Sequence, residues 1–189
     1  DGETVYPSYA SARTSGFMSV LGELDGRMVS WLDPDTQRPV RMVNRFRTDT
    51  LLAAPTLARE DAAFSVDDQV AGRLVYKTDK SESARKAKLS SSSDLLDVLS
   101  VIYYMRSREL SAGEPFCFEI YHRRRLWRVQ GTVGGTRMVT SPLLTRRARL
   151  LEGELKLVGG ASKDPPRKVL AWVSDDDDRL PLLVQTPDT

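Results

Sequence analysis

The stretch Asp94-Leu95-Leu96-Asp97-Val98-Leu99-Ser100-Val101-Ile102-Tyr103-Tyr104-Met105-Arg106 decides the fold class. Its apolar positions leave only a narrow polar stripe of Asp97, Ser100 and Tyr104, the pattern of a helix buried over most of its circumference. Ser93 is placed to cap that helix. Asp94 puts negative charge in its first turn, and Arg106 and Arg108 put positive charge near its last, as the helix dipole prefers. At ~1.5 Å per residue the stretch spans about 20 Å, too short to cross a bilayer and suited to lying across a concave sheet.

Working outward, the rest of the chain reads as short strands. Thr4 to Ala12, Arg27 to Asp33 and Val40 to Arg47 come first, the last two joined through Pro34-Asp35-Thr36-Gln37-Arg38-Pro39 as a hairpin. Val40, Met42 and Phe46 alternate with Arg41, Val43, Arg45 and Arg47, giving one mostly apolar and one mostly basic face. Leu51 to Arg59, broken by Pro55, is expected to be a loop. Ala62 to Val66 and Val70 to Thr78 form a further pair turning at Asp67 and Asp68, and the Ser- and Lys-rich Asp79 to Ser93 is expected to run over the surface.

Beyond the helix, strands are predicted at Phe116 to Tyr121, Leu126 to Thr132, Thr136 to Thr140, Ala148 to Val158, Arg167 to Ser174 and Leu182 to Gln185, with turns at Gly134-Gly135 and Gly159-Gly160. Leu151, Gly153, Leu155 and Leu157 share one face while Glu152, Glu154 and Lys156 share the other, as in a sheet with one wet side. The expectation is a mainly β single domain over residues 1–189: a curved antiparallel sheet or open half-barrel with one buried helix at about 94–106.

Composition narrows the function classes. The 28 Lys and Arg against 26 Asp and Glu give a net charge of +2, too even to demand a polyanionic partner, and nucleic acid is not expected. No apolar run approaches the ~20 residues of a membrane-spanning helix, so the chain is not expected to be transmembrane. The single cysteine, Cys117, excludes an intrachain disulfide and reads as a small core residue. Asp1-Gly2-Glu3 lacks the basic and apolar regions of a signal peptide, although a removed signal leaves no trace.

Polar clusters offer little chemistry. Asp175-Asp176-Asp177-Asp178 lacks the alternating ligands of a calcium loop and reads as a turn whose charge Arg179 offsets; no metal is expected. His122-Arg123-Arg124-Arg125 reads as an exposed turn before an inward Trp127, with arginines that would suit lipid phosphates. His122 is the only histidine, which removes multi-His metal sites, and Gly131 to Gly135 lacks the helix that would complete a phosphate loop. No catalytic residue and no cofactor are expected, and the protein reads as a non-enzyme.

The helix stretch, Ala112-Gly113-Glu114, and Ala171-Trp172-Val173-Ser174-Asp175-Asp176 with Arg179-Leu180-Pro181 resemble, in order, the bacterial cell-envelope family catalogued as domain of unknown function 3108. Weaker similarity reaches back through Ser15-Gly16-Phe17 and Ser30-Trp31-Leu32-Asp33, so the resemblance covers most of the chain. It implies export to the periplasm or the periplasmic face of the outer membrane, an open half-barrel similar to lipoprotein carriers, and a chain lacking the family's first hairpin and last strand. It supplies no activity.

The leading expectation is therefore a cell-envelope protein that binds a hydrophobic ligand, a lipid or lipoprotein acyl chain, in the curved sheet. Leu96, Leu99, Tyr103, Trp127 and Trp172 are the candidate cavity-lining residues. The alternative is a structural or adaptor subunit of an envelope assembly, binding a protein partner through a sheet edge or the arginines Arg41, Arg45, Arg47 and Arg123 to Arg125.

Overall fold

In the computed structural model, which describes residues 4–13, 22–50, 53–141, 144–158 and 165–187, alternating apolar and polar side chains sort the chain into two sheets of six strands each, antiparallel but for one short parallel pair in the second. The first sheet is a meander of β1 (Tyr6–Arg13), β2 (Gly22–Leu32), β3 (Pro39–Thr50), β4 (Ala53–Phe64), β5 (Gln69–Lys77) and β6 (Glu82–Ser90). The second runs β12-β11-β10-β9-β8-β7, from β7 (Leu95–Leu96), β8 (Pro115–His122), β9 (Arg125–Thr140), β10 (Thr145–Val158), β11 (Arg167–Ser174) and β12 (Pro181–Gln185), and curls into a half-barrel. The expected fold class holds. The Ser15-Gly16-Phe17 and Gly159-Gly160 expectations lie outside the described residues.

The helix is shorter than its sequence suggests. Helix α1 spans Ser100–Ser107, and Leu95–Leu96 form β7 instead, pairing in parallel with Glu119 and Ile120 of β8. Asp97, not Ser93, organises the helix entry: its Oδ1 accepts the Leu99 and Ser100 amides at 2.9 and 2.8 Å, while Ser100 Oγ accepts the Asp97 amide at 2.8 Å. This is the reciprocal capping of a helix start, three residues deeper in the chain than the Asp94 beginning. Tyr104 and Met105 then pack with Phe118, Val129, Val133, Leu151 and Val173 on the concave face of the second sheet.

Two further expectations need correction, and a third gains detail. Leu51 to Arg59 lies largely in β4, because Pro55 falls beside the register shift between Thr48 and Thr50, where its missing N–H is tolerated. Asp79 to Ser93 does run over the surface, much of it as β6, an edge strand paired only with β5; its lysines and arginine hide the period-2 signal and also discourage strand addition. Gly134-Gly135 is no turn: β9 runs through it opposite the irregularity at Arg149/Leu151, and a Cβ on Gly134 would stand 3.2 Å from that of Leu150.

The sheets join through a second core of Met42, Ala62, Val70, Leu95, Tyr121 and Leu126. Buried polar groups fix the docking. Glu60, 1% exposed on β4, accepts the Arg123 and Arg124 amides at 3.1 and 2.9 Å. Those residues form the β8–β9 turn with φ of 49° and 61°, the paired positive values a two-residue hairpin needs and arginine rarely adopts. Glu119, fully buried, accepts two hydrogen bonds from Arg128 and one from Ser91.

Candidate functional site

Because side chains alternate along a strand, register defines what the outer face of the first sheet presents, the face turned away from the second sheet. Row by row it reads Pro7, Trp31, Arg41, Ala63, Ala71 and Lys88; then Tyr9, Val29, Val43, Asp61, Arg73 and Lys86; then Ser11, Arg27, Arg45, Arg59, Val75 and Ala84; then Arg13, Asp25, Arg47, Leu57, Lys77 and Glu82. Cations far outnumber carboxylates on this face, although the chain as a whole is nearly neutral. The basic face expected of β3 is thus one part of a broader surface.

Across β4 to β6 the same face holds an open trough of about 860 Å³. Leu57, Ala63, Ala71, Val75 and Ala87 supply its apolar lining, and Arg59, Arg73, Lys77, Lys86 and Lys88 its cations. Small side chains at 63 and 71 make the depression, since neighbouring strands carry long ones. Asp61 is the carboxylate most tightly engaged here: its two oxygens accept from Arg41 Nε and Nη2 at 3.1 and 2.7 Å, and this hydrogen bond, with the charge behind it, raises the Arg41 pKa above its ordinary value. Arg41 also lies over the Trp31 ring, 5.5 Å from its centroid.

The sequence profile of the family described as "Protein of unknown function (DUF3108)" matches residues 1–189. The chain belongs to that family. No curated protein and no solved structure matches it.

In this DUF3108 protein the five apolar residues singled out in the sequence do not meet at one site. Leu96 is fully buried in the core between helix and half-barrel, and Trp127 is half-buried on the same concave face, opposite Ile120 and Leu157. Leu99 is buried at the helix N-cap position. Tyr103 is half-buried and accepts a hydrogen bond from Ser8 of β1 at 3.1 Å, tying the helix to the first sheet. Trp172 belongs to another cluster, with Val139 and Ala148, and the Arg137 guanidinium sits 4.0 Å from its ring centroid. None of the five lines the trough.

The arginines divide as well. Arg41, Arg45 and Arg47 share the outer face, whereas Arg123 lies over Phe46 on the inner face, 5.6 Å from the ring centroid. The Arg123–Arg124 turn is anchored through its backbone, so it is not simply exposed. His122 is mostly buried; burial pushes its pKa down, the Arg123 charge adds to this, and the ring meets Phe46 edge-on. Cys117 is exposed rather than in the core, because on β8 it alternates with the inward Phe116 and Phe118.

The four aspartates do form a turn, but Arg179 does not offset their charge. Asp175 pairs with Arg147 and Arg149, and Asp176 with Arg146. Arg179 instead donates to the carbonyl oxygens of Arg106, at 2.7 Å, and Arg108, closing the C-terminal end of the helix. Among the described residues no helix is long and apolar enough to cross a membrane.

The trough and its rim were only half legible in the sequence. The alternation of β3 showed basic residues on one face, but Asp79 to Ser93 gave no sign that Lys86 and Lys88 would join them. That depended on recognising an edge strand whose signal is charge rather than apolar alternation.

Proposed function

We propose that the chain is a non-enzymatic envelope protein that binds an anionic amphiphile, laying an acyl chain in the trough across β4 to β6 with the headgroup against the surrounding cations. One observation carries this reading: an apolar floor of Leu57, Ala63, Ala71 and Val75 is rimmed by Arg59, Arg73, Lys77, Lys86 and Lys88 on one open face. A floor of that kind favours hydrocarbon, and the rim selects the charge at its end. The helix fills the concave side of the half-barrel with Tyr104 and Met105, so the trough, rather than the helix side, is the surface left for the ligand.

Native mass spectrometry of protein purified from cells, with solvent extraction, tests the proposal. A bound anionic lipid is expected, and Val75→Glu should abolish its recovery; protein that carries no lipid and ignores lipid vesicles would overturn it. The same preparations, screened against generic esters and peptides, should show no turnover. Cell fractionation is expected to place the protein on the periplasmic side of the envelope, and recovery in the cytosol would count against that.

A second reading, an adaptor in an envelope assembly, is favoured by one feature. Strand β1 pairs only with β2 and exposes Tyr6 and Tyr9 at 56% and 71%. Crosslinking in intact cells distinguishes the two: a stoichiometric protein partner bound along β1 supports the adaptor, and a monomer carrying lipid supports the carrier.

A further inference from the structure

Register sets Arg27 of β2 directly opposite Arg45 of β3, and Arg45 directly opposite Arg59 of β4, all on the outer face. With strands ~4.8 Å apart, the three form a row about 10 Å long. Like charges directly opposite one another destabilise a sheet, and such a row normally carries alternating carboxylates. Here two of the neighbouring acids, Asp61 and Asp49, are committed elsewhere, and the third, Asp25, forms no ion pair with the row. Asp61 sits in the fork of Arg41 and reaches Arg59 only at 3.9 Å, Asp49 lies 3.5 Å from Arg47, and Asp25 stands in register between Arg13 and Arg47. Among the described residues, neither Arg27 nor Arg45 has a carboxylate within ion-pair distance.

We infer that this row is a phosphate site, which receives the phosphorylated headgroup of a lipid whose acyl chain lies in the adjoining trough. The inference rests on the amphiphile reading above and adds to it the chemistry of the headgroup. Guanidinium groups match phosphate oxygens through paired donors, and neighbouring ones share a single dianionic group without rearrangement. Arg59 belongs to both features, at the end of the row and in the wall of the trough, so one ligand spans them. No aromatic side chain interrupts the row to stack on a base, which favours a lipid over a nucleic acid.

Binding to phosphatidylcholine vesicles with and without phosphatidic acid, measured by flotation at low salt, tests the site. The wild-type chain should favour vesicles containing phosphatidic acid. Arg27→Gln, Arg45→Gln and Arg59→Gln should each weaken that preference about fivefold, whereas Lys156→Gln, on the outer face of the second sheet, should not change it. Removing Arg45 also relieves repulsion, so its thermal midpoint at low salt should equal or exceed that of the wild type. Binding by Arg45→Gln equal to wild type, or equal weakening by Lys156→Gln, would overturn the phosphate row and leave the trough standing. A wild-type chain that ignores both vesicle types would overturn the amphiphile reading itself. Inorganic phosphate competing as well as phosphatidic acid would overturn the lipid as the source. If one variant does not fold, the other two read the same row.

Discussion

The Ser30 hydroxyl, on the inner face of β2, donates to Asp97 Oδ2 across 2.5 Å, joining the middle of the first sheet to the entry of the helix. Both residues are fully buried. Desolvation raises the Asp97 pKa, against the opposing pull of its hydrogen bonds from Ser30, Ser100 and Leu99. A carboxyl whose folded pKa is raised adds stability that is complete below its unfolded value near 3.8 and is lost as pH climbs through the folded value. Denaturation midpoints should therefore fall with rising pH above about 4. Asp97→Asn, which keeps the acceptor and supplies a donor to Ser30, should flatten that slope, while Asp97→Ala should cost about 3 kcal/mol near pH 4, and less as pH rises, by removing the cap and stranding Ser30. An unchanged slope in Asp97→Asn would show that another group is responsible.

Glu60 governs the β8–β9 turn. Its replacement by Ala leaves two part-buried amides without their acceptor and should lower stability by about 2 kcal/mol. Arg124→Gly should act the other way, by about 1 kcal/mol, because φ of 61° is unstrained only for glycine. Guanidinium titrations of both variants measure the pair, and a stabilising Glu60→Ala would sink the anchoring role.

Gly72 and Tyr121 occupy one space. A Cβ at Gly72 would stand 1.8 Å from the Tyr121 hydroxyl, and Tyr121 has no exposed surface into which to move. Gly72→Ala should lose about 3 kcal/mol. In a Tyr121→Leu background, itself destabilised, the same change should cost far less, and a double-mutant cycle with no coupling between the sites would contradict the contact.

Arg128 pairs with the fully buried Glu119 at 2.6 Å. Removing the arginine leaves that carboxylate to Ser91 and Ser92 alone, so Arg128→Met is expected to cost about 3 kcal/mol. Glu119→Gln with Arg128→Met should recover part of the loss, and urea midpoints of the single and double variants give the answer.

Cys117 should react with a thiol reagent in the folded protein nearly as fast as in denaturant. Strong protection would place it back in a core, contrary to its exposure on β8.

Elements whose side chains alternate cleanly were readable in the sequence. Leu151, Gly153, Leu155 and Leu157 turn inward and Glu152, Glu154 and Lys156 outward as their spacing implies, and Arg167–Ser174 has its expected ends. Failures came where a local preference met a partner far away. Leu95 and Leu96 suit a helix, yet pairing with Glu119 and Ile120 holds them as a strand. Arg123 and Arg124 look solvated until Glu60, more than sixty residues earlier, takes their amides. The trough was hidden for the same reason, since Ala63 and Ala71 are unremarkable until register sets them side by side.

Strands β1 to β6 make the first sheet and β7 to β12 the second, so each half of the chain is a sheet of its own. Ribosomes deliver the earlier half first, with Met42, Ala62, Val70 and Leu74 facing inward and nothing yet to cover them. At ~5–20 residues per second, its counterpart needs roughly 5–20 s more to be made. During that interval the nascent sheet is an aggregation hazard, held off by the charge on its other face. A ribosome-bound fragment ending near Ser90 should accordingly recruit a holdase chaperone that the finished chain does not.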